Sequence, residues 1–193
     1  EDFDRYMRLL FLKSAILFNN GITEEADSLL KGMIEMAVQT LSALYAGSAY
    51  HLLTAYNMKA YCFGKAHYCG SKALAYYRQA GVGSGNVQNV LEIMTSSELL
   101  RNNEQQVDQL IDHIRRLGKE EDQRFSAQRL SATLAEHHLM RAEYQPGIEL
   151  LKHVTRDASP ESEVWYQAHL LLGLAYHHVC DWDQARDVGP VVL

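Results

Sequence analysis

The sequence predicts an all-α, right-handed solenoid of about ten helices. They form five antiparallel helix-turn-helix hairpins that repeat roughly every 40 residues through one continuous domain, 1–193. Three observations predict it. First, small residues recur at a fixed spacing: counting back from Ala185, positions Gly147, Val107, Ala66 and Ala26 follow at intervals of 38, 40, 41 and 40. Twelve residues before each stands another small residue, Gly173, Ala135, Thr95, Thr54 and Ser14. Two helices of a hairpin approach closely only where the facing side chains are undersized, so such pairs mark where a first helix meets a second. Second, the chain has only three prolines and no run of alternating β-branched residues, and its Ala, Leu, Gln, Glu and Met favour helix. Third, the segment YQAHLLLGLAYHHVCDWDQA sets Gly173 and Ala185 at a close approach, with Leu172 and Tyr176 filling the seam. Asp181 opens the second helix there, where a carboxylate suits unpaired N–H groups and the helix dipole.

The elements follow in order. The first hairpin, about 2–46, starts with Asp2 or Asp4 as a cap, and Tyr6, Leu9, Leu10, Leu12, Ile16 and Leu17 make an apolar helical stripe. Asn19-Asn20-Gly21 stops that helix, because Gly and Asn tolerate the left-handed residue of a C-terminus. Thr23 caps the partner, whose Leu29, Leu30, Met33, Ile34, Ala37 and Leu41 face inward; it extends as far as Leu44, and Ala46-Gly47-Ser48 closes it. The second hairpin, about 48–80, is rich in tyrosine, and its second helix carries Gly70 and Ala73 where close packing is wanted. Gly81-Val82-Gly83-Ser84-Gly85 is the most flexible linker of the chain. The third hairpin, about 86–118, turns at Asn102-Asn103 and leads into the polar loop 118–122. The fourth, about 123–158, carries Pro146 inside the first turn of its second helix, where proline is tolerated. The fifth, about 160–193, is capped by the Ser159–Glu163 stretch and ends early at Gly189-Pro190. A truncated last hairpin leaves an apolar face uncovered, which invites self-association or another domain.

Composition bounds the function. The chain is 47% hydrophobic, enough for a substantial core, and a formal charge of −6 argues against this segment gripping a nucleic-acid backbone. Cys62, Cys69 and Cys180 are odd in number and lack CxxC spacing, as expected of reduced, mostly buried small hydrophobes in a cytoplasmic protein. No apolar run reaches the roughly 18 residues needed to span a bilayer. The opening Glu-Asp-Phe-Asp, without Met, suggests an excised piece of a longer protein.

Two resemblances follow from these residues. Leu172-Gly173-x-x-Tyr176, with Ala185 nine residues on, resembles the tetratricopeptide repeat (TPR) pattern. That resemblance implies a binding scaffold without chemistry. Over about 50–185, the phrases LAYYRQAGVGSGNVQNVL, SELLRNNEQQVDQLI and AEHHLMRAEYQPGIELL resemble the helical repeat region of MalT-like, LuxR-family transcriptional activators. This second resemblance implies a cytoplasmic bacterial regulator, with a nucleotide-binding module before the repeats and a DNA-binding module after them. Its repeats would receive a small-molecule inducer or an inhibitory protein.

Signals for catalysis are missing. The Gly81–Gly85 cluster lacks the following Lys-Ser/Thr and preceding strand of a phosphate loop. His137-His138 and His177-His178 are adjacent on helices and project about 100° apart, so neither pair chelates one metal ion, and His138 reads as a satisfied polar group in the seam. No nucleophile elbow is present. The expectation is therefore a non-enzyme with no catalytic residues, metal or cofactor. Functional content falls instead on the first helices of the last three hairpins, which line the inner wall of such a solenoid. The candidate partner-binding residues are Asn89, Glu92, Ser96, Leu99, Arg129, Glu136, Leu139, Met140, Gln167, Leu170, Leu174 and His177. This mixture suits an extended peptide or a helix of another protein. A second reading, a small-molecule pocket between hairpins two and three, rests on Tyr56, Tyr61, Tyr68, Tyr76 and Tyr77 beside the glycines.

Overall fold

The computed structural model describes residues 2–120 and 124–188. They form ten α-helices and no strand: α1 (Asp2–Asn19), α2 (Thr23–Gln39), α3 (Ala43–Lys59), α4 (Phe63–Ala80), α5 (Ser84–Leu100), α6 (Glu104–Glu120), α7 (Arg124–Met140), α8 (Tyr144–Asp157), α9 (Glu163–His178) and α10 (Trp182–Val188). The chain divides into two compact units, Glu1–Gln106 and Val107–Leu193, with the boundary inside α6.

One backbone device builds nearly every turn. After α1 the chain reverses through Gly21 in the left-handed region, with Gly21 N–H donating to Phe18 O and Ile22 N–H to Leu17 O. This double bond satisfies two carbonyls left free at the helix end. The same pair of bonds recurs around Leu41, Tyr61, Gly81, Asn102, Ala142 and Cys180, all at positive φ. From Gly21 through Asn102 these residues are spaced 20 or 21 apart, so the 40-residue repeat is two copies of one helix-plus-turn step. Five of the seven are not glycine, although left-handed backbone costs an L-residue about 1–2 kcal/mol. The loop between α8 and α9 differs: Glu161 takes the positive φ, and Ser162 Oγ caps α9 by accepting from Trp165 N–H. Asp181 Oδ1 likewise accepts from Gln184 N–H at the start of α10.

In unit 1, α1 pairs with α2, α3 with α4, and α3 also packs on α2 and α5. The core is formed by Met7, Leu30, Met33, Ala37, Ala46, Ala49 and Leu53, with Tyr77 fully covered beside Gly47. A Cβ at Gly47 would lie 2.7 Å from the Tyr77 ring, so only glycine admits that ring. At the end of α5 the buried carboxylate of Glu98 accepts from Arg101 Nη1 (2.9 Å) and Asn103 Nδ2 (2.8 Å), tying down the Asn102 turn. His67 Nδ1 lies 2.9 Å from the same carboxylate, off the line of a hydrogen bond. In unit 2, α7 pairs with α8 and α9 with α10, and α8 packs on α9. Its core comprises Ala132, Ala135, Ile148, Leu151, Val154, Ala168, Leu172 and Tyr176.

The small-residue seam is buried along most of the chain. Ser14, Ala26, Thr54, Ala66, Thr95, Val107, Ala135 and Gly147 are all covered, whereas Gly173 and Ala185 are half-buried. Several local expectations are corrected. Tyr6, Leu9, Leu12 and Ile16 are exposed; α1 buries Met7 and Ser14 instead, on the opposite side. Thr23 lies inside α2, and no side chain caps that helix. α2 ends at Gln39 and Leu41 points to solvent, because the left-handed turn falls there without any glycine or proline to announce it. Ala46-Gly47-Ser48 lies within α3. The glycine linker shrinks to Gly81-Val82-Gly83, and α6 continues through Gly118 to Glu120, so the polar loop begins no earlier than 121, outside the described residues. The stop at Gly189-Pro190 also lies outside them. Cys62 and Cys180 are exposed and only Cys69 is buried.

Candidate functional site

The candidate surface of unit 2 starts from the two faces of α9. Val164, Ala168, Leu172, Ala175 and Tyr176 recur at helical spacing and enter the core. The opposite stripe, with Gln167, Leu170, Leu174 and His177, faces solvent; Leu170 and Leu174 are each half exposed. α7 packs beside α9 and brings Met140, 47% exposed, to the surface. Leu139 is half-buried, because its branched end packs where Gly147 has no side chain. Glu136 is half-buried with no hydrogen bond or ion pair among the described residues, and desolvation raises its carboxyl pKa above the ordinary glutamate value. Arg129, also half-buried, stands two turns before it on the same helix.

The unit 1 candidates sit on α5 and divide in two. Asn89 and Ser96 are partly exposed. Glu92 and Leu99 are buried, Glu92 accepting a hydrogen bond from Gln88 Nε2 at 2.7 Å. A partner meeting α5 therefore touches the first pair and not the second.

The histidines sort by burial. His137 is covered, and desolvation, with Arg141 and His138 nearby, lowers its pKa. His138 Nδ1 is hydrogen bonded to Glu143 at 2.7 Å and is only partly covered, so the buried histidine of this pair is its neighbour His137. His178 stacks on Tyr144 and His177 meets the edge of Trp182. Among the described residues no three His, Cys, Asp or Glu side chains gather as metal ligands, and no helix is long and apolar enough to cross a membrane.

The five tyrosines of the expected small-molecule pocket are not all brought to one place. Tyr77 is core and Tyr76 stacks on Tyr50. Tyr61 occupies a left-handed turn and is exposed. Tyr56 and Tyr68 do line a cavity of about 660 Å³, but it lies among α2, α3 and α4, in hairpins one and two. Sequence reasoning missed the α2 wall of this cavity, Glu24, Asp27, Lys31 and Glu35. Their 3–4 spacing reads equally well as an ordinary solvated helix face.

No protein-family model and no curated protein matches the sequence. Among solved structures, the chain is similar to the nearly identical TPR-like repeats of a candidate kinesin light chain from Podosopora anserina. A single-substitution variant of those repeats superimposes with a TM-score of 0.72 at 16% identity, covering 97% of this chain and 92% of that one. A second crystal structure of the same repeats gives 0.70 at 15% identity, covering 97% and 93%. With ten helices among the described residues, seven of their connections built on one turn, this likeness over nearly the whole chain shows that the protein folds as a TPR-like array of α-helical hairpins.

Proposed function

We propose that the chain is a non-catalytic module that binds another protein or peptide, and that it serves as a sensor or assembly segment of a larger regulatory protein inside the cell. The observation that carries this reading is the solvent-facing stripe of α9. Leu170 and Leu174 lie one turn apart, flanked by Gln167 and His177, with Met140 of α7 also at the surface. Aliphatic and Met side chains beside a polar rim suit an extended or helical peptide, and Glu136, desolvated and unpaired among the described residues, offers a carboxylate to a basic group of the partner. Arg129 and Leu139 support the same face, and Asn89 and Ser96 are the accessible candidates of unit 1. The formal charge of −6 favours protein over nucleic acid as the occupant.

The test is quantitative affinity capture with native chain and with Leu170→Glu plus Leu174→Glu, folding checked by circular dichroism. Both side chains are half exposed, so the double variant is expected to fold. Partners retained by the native chain should be lost by the variant; an unchanged partner list defeats the reading. Self-association is a lesser part of the proposal and rests on exposed Val179 and Trp182 at the last hairpin. Sedimentation showing a monomer at high concentration would remove it.

A further inference from the structure

The cavity of unit 1 is shaped and charged for a particular kind of occupant. No Cα of α2 comes within 8 Å of one of α4, so α3 is left as the floor of a slot between them. The α2 wall runs from Thr23 to Glu35, which at 1.5 Å per residue is about 18 Å. An extended chain of about five residues has that length. The floor and far wall present Tyr50, Leu53, Tyr56, Tyr68 and Cys69. A second pocket of about 430 Å³ adjoins the first at Thr23 and Tyr56, whose ring stacks on Phe18 with centroids 4.0 Å apart.

Charge identifies the occupant further. Three carboxylates in the lining face two ammonium groups, and Lys31 is held by Asp27 at 2.5 Å. Glu24 and Glu35, near the two ends of the α2 wall, have no ion-pair partner among the described residues. The Tyr68 ring already carries a cation near its face, with Lys72 Nζ 5.7 Å from its centre. Lys65 on α4 supplies a donor for a backbone carbonyl. Acceptors at the ends, aromatic faces between them and a donor opposite match a peptide backbone with a cationic side chain. A cationic side chain gains the attraction of Glu24 or Glu35, which a neutral or anionic one does not.

We infer that this slot binds an extended peptide segment bearing lysine or arginine, its backbone running along α2 and its cation placed between a tyrosine face and Glu24 or Glu35. The site shares no residue with the α7 and α9 surface, so it stands or falls separately from the function proposed above.

The test uses the full chain with its tyrosine rings isotope-labelled for NMR, and three blocked pentapeptides, acetyl-Ala-Leu-Arg-Leu-Ala-amide and its Gln and Glu counterparts. The Arg peptide should shift the Tyr50, Tyr56 and Tyr68 resonances, binding at least tenfold more tightly than either counterpart. Glu24→Gln plus Glu35→Gln should remove that preference, and Glu24→Lys plus Glu35→Lys should transfer it to the Glu peptide. Both positions are exposed, so each variant should retain the native fold. Leu170→Glu plus Leu174→Glu should leave the shifts unchanged, separating this site from the unit 2 surface. Equal affinity for the three peptides, or shifts confined to other tyrosines, overturns the inference.

Discussion

Hairpin two, α3 with α4, and hairpin five, α9 with α10, share a turn and differ in almost everything else. Both reverse through a non-glycine residue at positive φ, Tyr61 in one and Cys180 in the other, with the same two hydrogen bonds. In hairpin two, Gly47 admits the Tyr77 ring, Gly70 lies under Met94, and Ala66 and Ala73 are fully covered. In hairpin five, among the described residues, only Val188 lies near Gly173, α10 spans Trp182–Val188 and none of its residues is buried. Yet hairpin five carries the most legible repeat signature in the chain. A signature reports the register in which helices meet, whereas stability depends on how much second helix there is to cover the seam.

The largest test of that contrast truncates an aromatic side chain on the second helix of each hairpin. Tyr77→Ala removes a ring that is 2% exposed and deletes its hydrogen bond with His51 Nδ1 at 3.1 Å; it should cost about 3–5 kcal/mol. Trp182→Ala removes a larger ring that is 58% exposed, and should cost less than about 1 kcal/mol. Urea unfolding of both variants measures the difference, and similar losses would mean that hairpin five is packed as tightly as hairpin two.

Adding one methyl group should separate the hairpins by sign. Gly47→Ala pushes a Cβ to 2.7 Å from a rigid, buried ring and should destabilise by about 1–3 kcal/mol. Among the described residues Gly173→Ala meets nothing nearer than Val188 Cγ1 at 3.8 Å, so helix propensity governs and the variant should gain about 0.5–1 kcal/mol. Thermal midpoints should move in opposite directions, by about 2–4 °C per kcal/mol.

The turns supply the control, since there the hairpins are alike. Tyr61→Gly and Cys180→Gly each relieve a left-handed L-residue at an exposed position and should each stabilise by about 0.5–1 kcal/mol, the gain reduced by the extra freedom of glycine in the unfolded chain. Unequal gains would show that the turn, as well as the seam, depends on its surroundings.

These turns also explain what could be read from residues alone. The helix pairs and the seam were legible because close approach restricts side-chain size, and that restriction leaves a trace at Ser14, Thr54, Thr95 and Ala135. Turns at Gly21, Gly81 and Asn102 carry residues that tolerate positive φ, and they were visible. The turn at Leu41 carries none, because hydrogen bonding and flanking helices impose the conformation, and the expectation that α2 extends to Leu44 fails there. The face of α1 was misjudged because its apolar residues outnumber its core positions; burial followed Met7 and Ser14. The α9 stripe was legible as surface once Leu172 and Tyr176 were fixed inward. The slot beside α2 was not, because it depends on a gap between two helices whose charged faces look ordinary in sequence.

The smallest prediction concerns pH and isolates hairpin two. His51 is half-buried against Tyr77, and desolvation lowers its pKa below the ordinary 6.5. The unfolded chain therefore binds a proton to this residue at higher pH than the folded chain does, and folding loses stability as pH falls below about 6.5 toward the folded value. Above 6.5 both states are neutral and the residue contributes no pH dependence. His51→Gln removes the titration and keeps a polar side chain of similar reach. Between pH 7.5 and 5.5 the urea midpoint should fall further for the native chain than for the variant. The loss should also be visible as faster amide exchange in α3 and α4, with α9 and α10 unchanged between native chain and variant. An equal acid response in the two proteins would place the titration elsewhere and show the seam around Tyr77 to be wetter than its burial implies.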